Sequence, residues 1–193
     1  MKTRDKDIRD FLHINIKNQY INEPGTIVVD ELSLCQGNAR IDIAVVNGSM
    51  HGYEIKSESD TLERLPNQIN IYNQVMDTIT IVTGPNHLNK VKELVPKWWG
   101  ITVAKLNSNN NMESKIIRKT KQNPNVNAMA LAQLLWRDEA IQILEEVNLI
   151  KGYKGKSRRV LRERLANSLS LEETKYYVRR QLKSRKDWRA DQL

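Results

Sequence analysis

The feature that most narrows what this chain can fold into is a hairpin in its first third. NARIDIAVV (38–46) runs into Asn47-Gly48-Ser49, and SMHGYEIKS (49–57) returns. Alternate side chains of a strand point to opposite faces, and Asn-Gly is a strong hairpin turn. Ile41, Ile43 and Val45 are therefore expected on one face, with Asp42, Ala44 and Val46 on the other. On the return strand, Tyr53 and Ile55 oppose Glu54 and Lys56. Asp42 and Glu54 share a face only if the connection holds an odd number of residues or a bulge shifts the register. A three-residue loop of Asn47-Gly48-Ser49 sets them directly opposite, Cβ atoms about 5 Å apart. A two-residue loop sends them to opposite faces.

The flanking segments place this hairpin in a mixed sheet. Thr3 is a candidate cap for a helix over 4–19, in which Ile8, Phe11, Leu12 and Ile16 recur at helical spacing. TIVVDELSL (26–34) reads as a first strand. Leu65, Ile69, Tyr72 and Met76 mark a second helix, TITIVTG (78–84) a fourth strand, a helix capped by Asn86 follows, and WWGITVAK (98–105) is a fifth strand. The order α-β-β-β-α-β, then α-β, implies an α/β fold with helices on the faces of a mixed sheet. Residues 107–125, rich in Asn and Lys, read as a linker. Helices over 127–147, 157–168 and 171–186 follow. The expected division is a core over 1–106, the linker, and a small all-α region over 126–193.

Charge separates the same two regions. The net charge is +8, yet residues 151–193 alone hold 14 Lys and Arg against 5 Asp and Glu. Such a patch favours a polyanion, most often nucleic acid. Cys35, the single cysteine, has no disulfide partner within the chain and reads as a small packed residue. The charged N-terminus and the lack of a long apolar run point to a cytoplasmic protein, not one that engages a membrane. His13, His51 and His87 lack metal-ligand spacing, and Trp98 and Trp99 read as core and rim residues.

Asp42, Glu54 and Lys56 carry the chemical expectation. Phosphodiester hydrolysis needs neutralisation of phosphate charge, an activated water and help for the leaving oxygen. Mg²⁺ supplies much of this while asking for only one or two carboxylates. A lysine beside it orients the water and balances developing charge. Like charges facing each other in a sheet cost up to about 1 kcal/mol, so the acid pair needs a reason; a bound cation is one, and Lys56 is a partial one.

The pattern RID…YEIK, followed by a helix carrying Gln68 and Tyr72, resembles the PD-(D/E)XK nuclease superfamily, whose core is α-β-β-β-α-β. Residues 30–72 in particular resemble a group of small bacterial and phage proteins of that superfamily. The resemblance covers about 3–105 and implies a restriction-endonuclease-like fold. It implies Asp42 and Glu54 as ligands of Mg²⁺ or Mn²⁺, with the Ile55 carbonyl as a third, and Lys56 as the catalytic lysine. Gln68 and Tyr72 would support the site and contact nucleic acid. Ile41 stands where the superfamily's motif has its proline. Glu31 is the favoured fourth acid, on the expectation that it shares a face with Ile27 and Val29; Asp7 and Asp10 are its competitors.

Residues 140–167 resemble a SAP, or helix-extension-helix, DNA-binding module. Lys154, Lys156, Arg158, Arg159 and Arg162 would meet phosphates there without reading sequence. The expectation is a metal-dependent DNA nuclease acting on duplex or branched DNA, with a homodimer left open. The alternative is a catalytically inactive DNA-binding or regulatory protein on the same fold.

Overall fold

A computed structural model describes residues 2–185. Helix α1 (Asp5–Gln19) precedes strands β1 (Ile27–Leu34), β2 (Ala39–Val46) and β3 (Met50–Lys56). Helix α2 (Leu65–Tyr72), strand β4 (Thr78–Thr83), helix α3 (Leu88–Leu94) and strand β5 (Gly100–Leu106) follow. The expected α-β-β-β-α-β order is present. With a last strand, β6 (Met112–Arg118), the six-stranded sheet runs β1 to β6 in chain order. Its first three strands are antiparallel neighbours, β3–β4 and β4–β5 are parallel, and β5–β6 is antiparallel.

Strand β6 (Met112–Arg118) corrects the linker reading. It lies inside the expected 107–125 linker, and the Asn-rich segment is the turn of a hairpin with β5. Asn107 Oδ1 accepts the N–H groups of Asn109 and Asn111 there, and Asn110 takes a positive φ. Most of β6 is exposed, so its sequence lacks the apolar alternation that marks the other strands.

One face of the sheet is covered by α1, whose Ile8, Leu12 and Ile16 pack on Ile43, Val45, Ile55, Val82 and Ala104. The other face carries α2, α3 and the C-terminal helices α4 (Ala128–Ala132), α5 (Arg137–Glu146), α6 (Arg158–Ser168) and α7 (Leu171–Ser184) in one continuous apolar cluster. Leu131, Ile143, Leu161, Leu165, Val178 and Leu182 belong to the same core as Ile41, Ile79 and Ile81. The C-terminal helices are thus packed onto the sheet. The single helix expected over 127–147 is two, broken at 133–136, where Trp136 starts α5 and Glu139 Oε2 accepts its N–H.

An ion cluster fastens this layer. Asp77, 5% exposed, accepts the Met50 N–H at 2.8 Å and faces Lys175 Nζ at 3.1 Å and Arg179 Nη1 at 3.5 Å, both from α7. Thr3 does not cap α1. It is buried and bonded to Glu58, while Asp7 Oδ2 accepts the Arg4 N–H at the helix start. Trp99 is fully buried and Trp98 sits at the rim, as expected.

Candidate active site at the fork of two strands

The β2–β3 register places Val46 against Met50 and Ile43 against Tyr53. The connection is therefore the three residues Asn47-Gly48-Ser49, and the same register continued by one pair sets Asp42 opposite Glu54. The two strands part at that point. The Ile55 N–H donates to Asp42 Oδ2 at 2.6 Å, so a carboxylate takes the place of a ladder carbonyl.

The strict alternation expected of the first two strands fails here. Ile41 packs with Ala44 and Val46 on the α2 side, whereas Ile43 and Val45 face α1. In β1, Val29, Leu32 and Leu34 all join the α2-side cluster. The break falls at Glu31, whose φ is +55, opposite Asp42. A residue in that region reverses the local backbone, as bulges do. Glu31 consequently does not share the face of Ile27 and Val29, and turns with Asp42 toward α1. Gly52 accommodates the displaced Ile41, since a Cβ there would come within 2.7 Å of its Cδ1.

Arg9, which sequence reasoning missed, receives both acids. Its Nη2 lies 3.0 Å from Asp42 Oδ1 and 2.8 Å from Glu31 Oε1, its Nη1 donates to the Asp42 carbonyl, and its Nε meets Asp5 one helical turn away. The i,i+4 pair of Asp5 and Arg9 was the available sequence signal. Partial burial works against the charge of Arg9, but Asp5, Asp42 and Glu31 outweigh it and hold its pKa above the ordinary value. Burial, reinforced by the charge of Glu54, pushes the Asp42 carboxyl up to about 7 despite the Ile55 N–H and Arg9.

Glu54 faces the opposite layer and is 1% exposed. Lys56 Nζ lies 2.5 Å from its Oε1, and the Tyr72 hydroxyl 2.8 Å from its Oε2. That hydroxyl is also 2.6 Å from the Arg40 carbonyl and accepts from Gln68 Nε2 at 3.1 Å. Burial raises the Glu54 pKa, and Lys56, Tyr72 and Gln68 oppose it. Asp42, Glu54, Lys56, Gln68 and Tyr72 therefore meet at one fork, but the two acids do not share a face as expected: Asp42 turns to Arg9 on the α1 side, and Glu54 to Lys56 and Tyr72 on the α2 side. Of the competing acids, Asp7 is used at the start of α1, where its Oδ2 accepts the Arg4 N–H, and it is Glu31 that meets Arg9 beside Asp42.

The donor set suits a hard cation: two carboxylates, with a backbone carbonyl between Glu54 and Lys56, and a second ion is not needed for Mg²⁺. All four carboxylate oxygens of Asp42 and Glu54 have protein partners, however. Among the described residues no three His, Cys, Asp or Glu side chains form a group that could hold a metal ion. An ion would take Asp42 only as Arg9 releases it.

The expected nucleic-acid contacts divide. Lys156 and Arg158 are exposed at the start of α6. Lys154 and Arg159 are exposed and paired with Glu145 and Glu163. Arg162 is 5% exposed and donates to the Leu135 carbonyl; burial, with Arg158 and Arg185 nearby, lowers its pKa to about 10. It pins α6 to the break between α4 and α5 and offers nothing to a phosphate, because it lies one turn along the helix on the face that packs. His51 is a β3 residue bonded to Thr78 Oγ1 and edge-on to Tyr53, and burial lowers its pKa to about 4.

Among the described residues, no helix is long and apolar enough to cross a membrane. No solved structure matches the fold. Protein cII of Enterobacteria phage P4 is 28% identical over 158 residues, which is 82% of this chain and 59% of the relative's length. The chain thus spans about three fifths of that curated relative. The family model of Bacteriophage P4 protein cII matches residues 6–193. The match runs through the sheet, the fork and the C-terminal helices, and the chain belongs to the Bacteriophage P4 protein cII family.

Proposed function

We propose that the chain is a divalent-metal-dependent DNA nuclease of the PD-(D/E)XK type. The observation that supports this most is the fork itself. Three separate segments bring Asp42, Glu54, Lys56, Gln68 and Tyr72 together, with one acid almost fully buried beside a lysine. Burying two neighbouring carboxylates is costly unless cations compensate them. In this reading Asp42 and Glu54 hold Mg²⁺ or Mn²⁺ with the Ile55 carbonyl, and Glu31 lies next to them across the bulge. The ion, when bound, neutralises phosphate charge and makes a water acidic enough to attack.

The protein's own groups then have defined tasks. Tyr72, steadied by Gln68, fixes the Glu54 carboxylate. Lys56 holds its ammonium beside Glu54 and is placed to orient the attacking water and meet charge developing on the phosphate. Arg9 pairs with Asp42 and would have to release it to an ion. Lys154, Lys156, Arg158 and Arg159 offer an exposed basic surface for the DNA backbone.

A second reading, a DNA-binding or regulatory protein without catalysis, has an observation of its own. Arg9 and Lys56 already neutralise the acid pair. Incubation of the purified chain with supercoiled, linear and branched DNA in Mg²⁺, Mn²⁺ or EDTA separates the two. Cleavage only with metal supports the nuclease; binding without cleavage at any metal concentration supports the second reading.

A further inference from the structure

The last strand of the sheet has an outer edge that no described strand covers. At the other end of the sheet, β1 is interrupted by the reversed backbone at Glu31 and lined by Asp30 and Glu31, features that blunt an edge. Strand β6 is built differently. Ile116 is 65% exposed and Ile117, on the opposite face, 36%. The strand also walls an apolar groove of about 380 Å³ formed with Pro85, Leu88 and Val103.

The sequence of β6, Met-Glu-Ser-Lys-Ile-Ile-Arg, complements itself when reversed about Ser114. Antiparallel pairing of two copies about that residue sets Glu113 opposite Lys115 twice and Met112 opposite Ile116 twice. Directly opposed pairs of opposite charge, and of two apolar side chains, are the favourable units of a sheet. Shifting the centre to Lys115 sets two lysines against each other and Glu113 against Ile117, so the sequence selects one register. Two-fold pairing of an edge strand with itself is an isologous contact that closes at two copies.

We infer that β6 is a homodimerisation edge, at which two chains pair antiparallel about Ser114 and join their sheets. Glu113 and Lys115 then set the register, and Ile116 is covered by the partner copy's strand. This surface lies three strands away from the β2–β3 fork, so it stands independently of the proposed chemistry.

Light scattering during size-exclusion chromatography of the full chain tests it. The expected mass is twice the 22.4 kDa of one chain. Glu113→Lys and Lys115→Glu each create two like-charge contacts across the pair and should weaken dimerisation at least about tenfold; Glu113→Lys also exchanges the in-chain Lys105–Glu113 pair for two lysines, so Lys115→Glu is the cleaner single variant. Mixing these two variants should restore a dimer, because every Glu–Lys contact is then complementary across the pair. The double variant Glu113→Lys/Lys115→Glu should dimerise alone. Circular dichroism checks that each variant is folded. A monomeric wild type overturns the proposal. So does a dimer that both single variants leave intact, or a failure of the mixed variants to reassociate.

Discussion

At the residue scale, Asp42 is the most informative side chain. A carboxyl whose folded pKa is about 7 against about 3.9 unfolded stabilises the fold at acid pH, and that contribution is lost as pH rises toward 7. The full linkage is on the order of 4 kcal/mol. Asp42→Asn should therefore gain stability relative to the wild type as pH rises from about 5 to about 8, by up to roughly 3 kcal/mol on the same linkage. Urea unfolding at the two pH values measures this, and a difference that is flat or reversed would contradict it. Tyr72→Phe removes the hydroxyl that Glu54 and the Arg40 carbonyl share, leaving buried acceptors short of a donor. It should cost about 1–3 kcal/mol, read in the same experiment; an unchanged midpoint would show that the hydroxyl carries no weight.

At the element scale, the hairpin was legible because its loop length and period-two pattern fix register without help from the rest of the chain. Val46 against Met50 follows from Asn47-Gly48-Ser49 alone. The faces of β1 and the early part of β2 were not legible. Glu31 adopts a backbone that its side chain does not announce, and that reversal carries Asp42 toward α1 and Arg9. Strand β6 was missed for a different reason, as an exposed edge strand keeps no apolar face to read. The attachment of α7 was equally hidden, since Lys175 and Arg179 look like part of a solvated basic run until Asp77 is brought beneath them from β4's entrance. Removing one partner from a buried ion pair costs about 3–5 kcal/mol. Asp77→Ala should destabilise the protein by that order in a denaturant titration, while Glu172→Ala, on the exposed side of Lys175, should change little.

At the scale of the whole molecule, the basic helices were expected as an appendage and are instead part of one core. Leu161, Val178 and Leu182 are fully buried in the cluster that includes Ile79, Ile81 and Trp99. A protein with one core unfolds as one unit. Calorimetry should show a single transition, and a chain ending after Arg118 should lose the cover on that face of the sheet and fail to give a cooperative one. Two separate transitions would restore the two-domain picture. Part of the charge asymmetry that suggested nucleic acid is spent inside the fold, because Arg162 is taken up by packing and Lys175, Arg179 and Arg185 by buried acids, whereas Lys154, Lys156, Arg158 and Arg159 remain exposed.

If the β2–β3 fork is a catalytic centre as proposed, its chemistry is read in DNA cleavage. Nicking of supercoiled DNA by the wild type, Asp42→Ala and Lys56→Ala, compared in Mg²⁺ and in EDTA on the same preparation, tests it most directly. Cleavage by the wild type is expected in Mg²⁺ alone, with a loss of about 100-fold or more in each variant. Equal cleavage by all three proteins, or none by the wild type with any divalent ion, would contradict it.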